Sequence, residues 1–354
     1  MSFMKKSVDK IKHLSKDALW IGEIEYARLI SIRAKDTKKI AVFDPAINSA
    51  NMGDHIIKFY CNKIIKELFS DRDIYRLPTQ TFPQKEELEK LRNCYMGIVC
   101  GTNLMTPHFE EYSNWKMPSN LRDYTNIITL GVGWGYYCSD ISMYSTKVYN
   151  TILSSKGLHS VRDSYTEKCF REMGIKNVIN TGCPTLWNLT EEHCAKIPRK
   201  KASKVISTVT DYDINYEKDK EMLKVLLSQY QQVYIWLQGA DDYSYLNEII
   251  DVDLVKIVPS SVDAFTKMLR RGDIDYVGTR LHAGIHAMNE MVRTIIISID
   301  NRAEEMGKDF NLPIISRSSS VKDLVDRINE EQKTDVYINE NKIQIWKQQF
   351  LGGK

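Results

Sequence analysis

The strongest constraint in this sequence is an alternation that starts near residue 39 and hardly pauses. Short apolar runs, several stopping at a glycine, take turns with segments whose apolar residues return every three or four positions. "KIAVF" (39–43) reads as a buried strand. "GDHIIKFYCNKIIKELF" (53–69) reads as an amphipathic helix with Ile56, Ile57, Tyr60, Ile64 and Leu68 in register. "YMGIVCG" (95–101), "NIITLGVG" (126–133), "GLHSVRD" (157–163) and "NVINTG" (177–182) continue the strands, with a charged helix running to Met173. A polar, basic stretch, "AKIPRKKASK" (195–204), interrupts the pattern. It then restarts with "VISTVT" (205–210), "QVYIWLQG" (232–239), "LVKIV" (254–258), "IDYVG" (274–278), "RTIIISID" (293–300) and "LPIIS" (312–316). Helices are expected at 216–229, 241–250, 261–271 and from 282, and two more close the chain.

Strands alternating with helices of this length imply βαβ units and parallel sheets. Two such blocks around a polar linker predict an α/β fold of two Rossmann-like domains facing a cleft, residues 1–196 and 204–354. In open sheets of this kind ligands sit beyond the carboxyl ends of the strands, so the residues just after each strand are where chemistry is expected.

Composition narrows the partners. Hydrophobic residues make up 43% of the 354 residues and charged residues 27%, with a net charge of +3. That charge is too small for a nucleic-acid binder, so any anion site must be local. No run approaches the roughly 20 apolar residues of a membrane span. The basic start, "MSFMKKSVDKIKHL", lacks the apolar core of a signal peptide, and the expected location is cytoplasmic. Residues 1–34 read as a helix with Lys5, Lys6, Lys12 and Lys16 over Val8, Ile11, Leu14 and Leu19. Peripheral contact with a membrane surface is one reading of it, and a packed helix with a solvated face is the favoured one. Seven scattered cysteines without a CxxC point to small core residues, not to disulfides or a zinc ribbon. Asn188-Leu189-Thr190 matches a glycosylation sequon, which has no meaning without secretion.

Four strand ends stand out. "DPAINSANMGDH" (44–55) carries Asn51, Gly53 and Asp54 into a helix. "GTNLMTP" (101–107) offers Gly101, Thr102 and Asn103. "GVGWGYY" (131–137) begins like a dinucleotide fingerprint, but its third glycine position is Tyr136. The fourth is a pair, "SVRDS" (160–164) and "GTRLH" (278–282), one from each block. His282 and His286 have the spacing of zinc ligands on a helix, yet Ala283 replaces the glutamate of that motif and no third ligand is near. No metal is expected. Arg280 beside His282 is harder to explain by packing. A buried arginine is unfavourable unless it meets an anion, and an imidazole titrates near neutrality. Together they suggest acid-assisted chemistry on an anionic substrate.

"SVRDSYTEKCFREMGIKNVINTGCPTL" (160–186), followed by "VGTRLHAGIHAMNEMVRTIIISID" (277–300), resembles the polysaccharide pyruvyl transferases. The Asn-x-Gly-Asp corner, the glycine-rich middle, Ser-x-Arg, Gly-x-Pro and Arg-x-His come in that family's order over about residues 40–315. The resemblance implies a fold like the two-domain GT-B glycosyltransferases, with residues 1–196 on the acceptor side of the cleft and 204–354 on the donor side, and phosphoenolpyruvate as donor. It implies a saccharide or lipid-linked saccharide as acceptor, with no cofactor. Arg162 then matches the arginine of Ser-x-Arg, Arg280 and Leu281 the donor-binding pair, and His282 the general acid. Asp54 is a candidate base or acceptor contact. Arg302 stands where a lysine is common and is a candidate for anion contact, and Asn51, Gly53, Gly101, Thr102 and Asn103 are candidates for substrate contact. The rival readings are a nucleotide-sugar glycosyltransferase and a non-catalytic binding protein of the same fold.

Overall fold

The computed structural model describes residues 36–118 and 121–351, and the helix expected over residues 1–34 lies outside them. Strands β1 (Asp36–Asp44), β2 (Asp73–Pro78), β3 (Cys94–Met105), β4 (Ile127–Trp134), β5 (His159–Val161) and β6 (Val178–Asn180) form one parallel sheet in the order β2-β1-β3-β4-β5-β6. Strands β7 (Lys204–Ser207), β8 (Gln232–Trp236), β9 (Lys256–Val258), β10 (Ile274–Gly278), β11 (Thr294–Ser298) and β12 (Ile314–Ser316) form a second, in the order β12-β11-β10-β7-β8-β9. The fold is therefore α/β with two Rossmann-like domains.

The helices of the first block are α1 (Met52–Leu68), α2 (Lys85–Arg92), α3 (Met143–Ile152), α4 (Ser164–Glu172) and α5 (Glu191–Ala195). Those of the second are α6 (Tyr216–Gln229), α7 (Asp242–Ile249), α8 (Val262–Leu269), α9 (Leu281–Asn289), α10 (Asn301–Phe310), α11 (Val321–Asn329) and α12 (Glu340–Gln348). Among the described residues no helix is long and apolar enough to cross a membrane.

The expected corner at 101–107 is mostly strand, because Thr102 and Asn103 still pair with Val132 and Gly133 and β3 runs on to Met105. Gly131 and Gly133 likewise lie inside β4, and the next helix starts only at Met143, so no dinucleotide turn forms there. The expected division gives all C-terminal helices to the second domain, but α12 crosses back. Trp346 is fully buried in the core of the first sheet with Ile40, Val42, Ile57 and Ile98, and it packs edge-on to Trp187.

The two domains share a core. Ile56 and Tyr60 of α1 and Leu186 meet Trp236, Phe265, Tyr276 and Leu281 of the second block. Polar bonds pin the same boundary. Met52 donates its backbone N–H to the Gln238 carbonyl at 3.0 Å, and Asp309 of α10 accepts from the hydroxyl of Ser164 (2.9 Å) and from Nδ2 of Asn180 (2.9 Å). Tyr137 donates to Glu305 at 2.6 Å.

Candidate active site

In the second sheet the strand order reverses between β7 and β10. A crevice opens at such a reversal, beyond the carboxyl ends of the two strands. The loop after β7 carries Thr208 to Asp213, and the turn after β10 carries Thr279, Arg280 and then His282 on the first turn of α9. The opening of α9 is thus placed at the cleft by topology alone.

Arg280 does not reach into that cleft as a free cation. It is 3% exposed; its Nη2 donates to Asp211 (2.9 Å) and to Asp242, and its Nε donates to the Val209 carbonyl (2.9 Å). Its guanidinium carbon lies 4.9 Å from the centre of the Tyr212 ring. Two carboxylates already answer its charge, so the geometry makes Arg280 a tie between loops. Leu281 packs in the shared core. His286 packs further along the same helix. Its Nδ1 lies 2.9 Å from the Tyr60 hydroxyl and its Nε2 2.8 Å from the Thr266 hydroxyl, so both ring nitrogens have partners under the site.

Among the described residues, the cations whose charges act on His282 are Arg302 and Arg162. Arg302 sits on the first turn of α10, where Asp300 caps the helix by accepting from the backbone N–H of Arg302 at 3.0 Å. The Arg302 Nε donates to the same carboxylate at 2.8 Å, and its Nη2 donates to Asp300 and to the Tyr212 hydroxyl. Burial alone would raise the Asp300 carboxyl, but the Arg302 charge and hydrogen bonds override it and hold it low.

Arg162 follows β5 in the first domain and is 1% exposed. Its Nε donates to Asp163 at 3.0 Å and its Nη2 to the Trp134 carbonyl at 3.3 Å, while its buried Nη1 has no partner among the described residues. Gly133 makes room for it. A Cβ there would stand 2.0 Å from the guanidinium carbon.

His282 lies between these groups. Burial first, and then the Arg302 and Arg162 charges, push its imidazole down to about 3, so it is neutral at pH 7. Its Nε2 is 3.8 Å from the Cys183 sulfur. Across the cleft, Asp54 opens α1 and is nearly buried. It accepts from Ser49 (2.6 Å) and Gln80 (2.8 Å). Burial raises its carboxyl, against the pull of Ser49, Gln80, Thr102 and the Arg302 charge. Thr102 holds φ at +130°, a region a β-branched residue seldom enters. Asn103 keeps a buried Oδ1 without a partner among the described residues.

Asn51 and Gly53 serve the domain boundary. The Asn51 Oδ1 caps α1 by accepting from the Gly53 N–H and also accepts from Gln238 Nε2, both at 3.0 Å. A Cβ on Gly53 would stand 2.9 Å from that same Gln238 nitrogen. Gly101 lies within β3, against β4.

The family model described as polysaccharide pyruvyl transferase matches residues 51–301, well over half of the chain. The chain belongs to this family. No curated protein matches it. Solved structures similar to this pyruvyl transferase family chain include the Methanocaldococcus jannaschii UDP-GlcNAc 2-epimerase in complex with UDP-GlcNAc and UDP, at 11% identity and TM-score 0.49, over 89% of this chain and 100% of that one. The wall teichoic acid polymerase TagF matches at 10% identity and TM-score 0.45, over 98% and 91%. The lipopolysaccharide outer core galactosyltransferase WaaB in its apo form matches at 12% and 0.43, over 88% and 95%.

Within this family chain the structure brings together Arg162, His282, Arg302 and, on the facing side, Asp54. It turns Arg280 and Leu281 away into loop and core. Tyr212, Asp300, Ser49 and Gln80 escaped the sequence reading. Only Asp300 carried a local signal, an Asp just before a helix that starts after a strand.

Proposed function

We propose that the cleft holds phosphoenolpyruvate between Arg162 and Arg302 and transfers its pyruvate unit to two saccharide hydroxyls as a cyclic ketal. The observation that carries this reading is the unpartnered Nη1 of a fully buried Arg162 guanidinium. A buried cationic N–H without an acceptor is strongly unfavourable, and an anionic ligand would relieve it. The donor offers a carboxylate and a phosphate, one for each arginine, with Arg162 presenting its unpartnered Nη1.

The same charges set the acid. On its own His282 is neutral, because burial first, and then the Arg302 and Arg162 charges, oppose its protonation. The donor's negative charges would offset them and let the imidazole take up a proton. It would then deliver that proton to the methylene carbon, leaving an oxocarbenium-like centre for attack by one hydroxyl oxygen. The bond from carbon to the bridging phosphate oxygen breaks, and the second hydroxyl oxygen closes the ketal. Of the two hydroxyl protons, one replaces the proton spent on carbon and the other leaves with inorganic phosphate. Asp54, with its carboxyl raised by burial, is suited to accept a hydroxyl proton on the way.

We read the acceptor as a saccharide or lipid-linked saccharide, and the location as the cytoplasm, where a small phosphorylated enol acid is at hand. The test is phosphate release from phosphoenolpyruvate over a panel of such acceptors, with the product gaining the mass of pyruvate less one water. Thermal stabilisation by a nucleotide-diphosphate sugar but not by phosphoenolpyruvate would replace this reading with a glycosyltransferase.

A further inference from the structure

We propose that Tyr212 is a further binding residue of this cleft, its phenol O–H donating to a phosphoryl oxygen of the anion that Arg302 holds; the inference rests on the donor reading above. Tyr212 lies on the loop after β7, at the strand-order reversal of the second sheet. Neighbours on both sides hold that loop in place. The hydroxyls of Thr210 and Thr279 are 2.8 Å apart, Asp211 accepts from Arg280 at 2.9 Å, and the Asp213 carbonyl accepts from Arg317 Nη1 at 2.7 Å. This gives Arg280 its place. The arginine next to the general acid fixes the loop that presents the tyrosine.

Such rigidity is unexpected around a residue that is 54% exposed. The Tyr212 ring lies against two cations, with its centre 4.9 Å from the Arg280 guanidinium carbon and 5.5 Å from that of Arg302. Its oxygen already accepts from the Arg302 Nη2. A phenol can accept and donate at once, and among the described residues no acceptor is recorded for its own hydrogen. A phenol donor, held rigidly against a cation and open to solvent, suits a negatively charged oxygen. A tetrahedral phosphoryl group can meet Arg302 and the phenol from different directions. A planar carboxylate is served by a guanidinium fork alone.

The test is calorimetry on the full chain with inorganic phosphate and with pyruvate, comparing the wild type and Tyr212→Phe. The phenylalanine keeps the ring against both guanidinium groups and removes the hydroxyl. The bond its oxygen accepts from Arg302 goes too, a loss common to both anions, so the comparison of phosphate with pyruvate isolates the donated bond. Phosphate affinity should fall about tenfold or more, as expected for a hydrogen bond to a charged group. Pyruvate affinity should fall much less, and the protein should still unfold in one transition. Unchanged phosphate affinity in Tyr212→Phe, equal losses for phosphate and pyruvate, or no phosphate binding by the wild type would each overturn the assignment. Selective loss of phosphate affinity, in a protein that releases no phosphate from phosphoenolpyruvate with any acceptor, would remove the donor reading and leave Tyr212 as an anion-site residue.

Discussion

A single imidazole shows how the surroundings decide what a residue can do. With its ring held down to about 3, His282 has no proton to give at pH 7 until an anion arrives. Binding of phosphoenolpyruvate near pH 7 should therefore take up a proton, seen as a dependence of calorimetric heat on buffer ionisation enthalpy, and His282→Gln should abolish the uptake. The same variant should lose about 10²-fold or more in turnover with little change in donor affinity or melting temperature. Near-normal turnover would remove His282 from the acid role. The arginines separate in the same way. Arg302→Lys keeps the charge but loses the fork, and the KM for donor should rise with the fold intact. Arg280→Lys should act more on stability, because it breaks ties to Asp211, Asp242 and Val209. The sequence showed that a cation and an imidazole meet at this turn. It did not show that Asp211 and Asp242, dozens of residues away, neutralise that cation, since a charge's partner is a three-dimensional fact. Arg302, singled out only through the family resemblance, is the cation that Tyr212 and Asp300 leave at the cleft.

At the scale of elements, helix starts hold the two halves of the cleft in place. Asn51 caps α1 and also reaches Gln238 across the boundary. Asn51→Ala should cost about 1 kcal/mol for the cap and loosen the domain contact as well, read as a lower melting temperature and a larger radius of gyration in solution scattering. Gly133→Ala should leave β4 paired but displace the Arg162 guanidinium, so anion affinity should collapse while far-UV circular dichroism is unchanged. Strongly periodic elements were legible from sequence. The helix expected at 216–229 spans Tyr216–Gln229, and the strand expected at 274–278 spans Ile274–Gly278. Elements with little apolar pattern were not. β2 is an edge strand, "DIYRLP", whose first four residues are exposed or half-buried, and α2 buries only Leu91. The strand expected to stop at Gly101 runs four residues further. Its neighbour β4 supplies hydrogen bonds that no local pattern announces.

For the whole molecule, three buried histidines act together. Burial pushes His159 and His286 down to about 4 and His282 to about 3. The unfolded chain protonates such groups near 6.5, so below that pH it binds more protons than the native state. Stability should be fully present above about 6.5 and should decline as the pH falls from there towards about 4, with the melting temperature following. Carboxyls raised by burial, such as Asp54, act in the opposite sense as the carboxylate range is approached. Replacing His159 with Gln should flatten the decline. The shared core under α1 joins both domains, so heat should unfold them in one transition, and two separate transitions in a calorimetric scan would contradict it.

The returning helix α12 carries a consequence for how the protein is made. Trp346 fills a seat in the sheet whose first strand begins more than three hundred residues earlier. On the ribosome, β1 to β6 emerge early, yet the place of Trp346 in their core stays unfilled while the whole second domain is synthesised. The domain that is translated first is the last to be sealed. For that interval Ile40, Val42 and Ile98 have α1 over them but lack Trp346, an apolar gap that a neighbouring nascent chain can meet before α12 arrives.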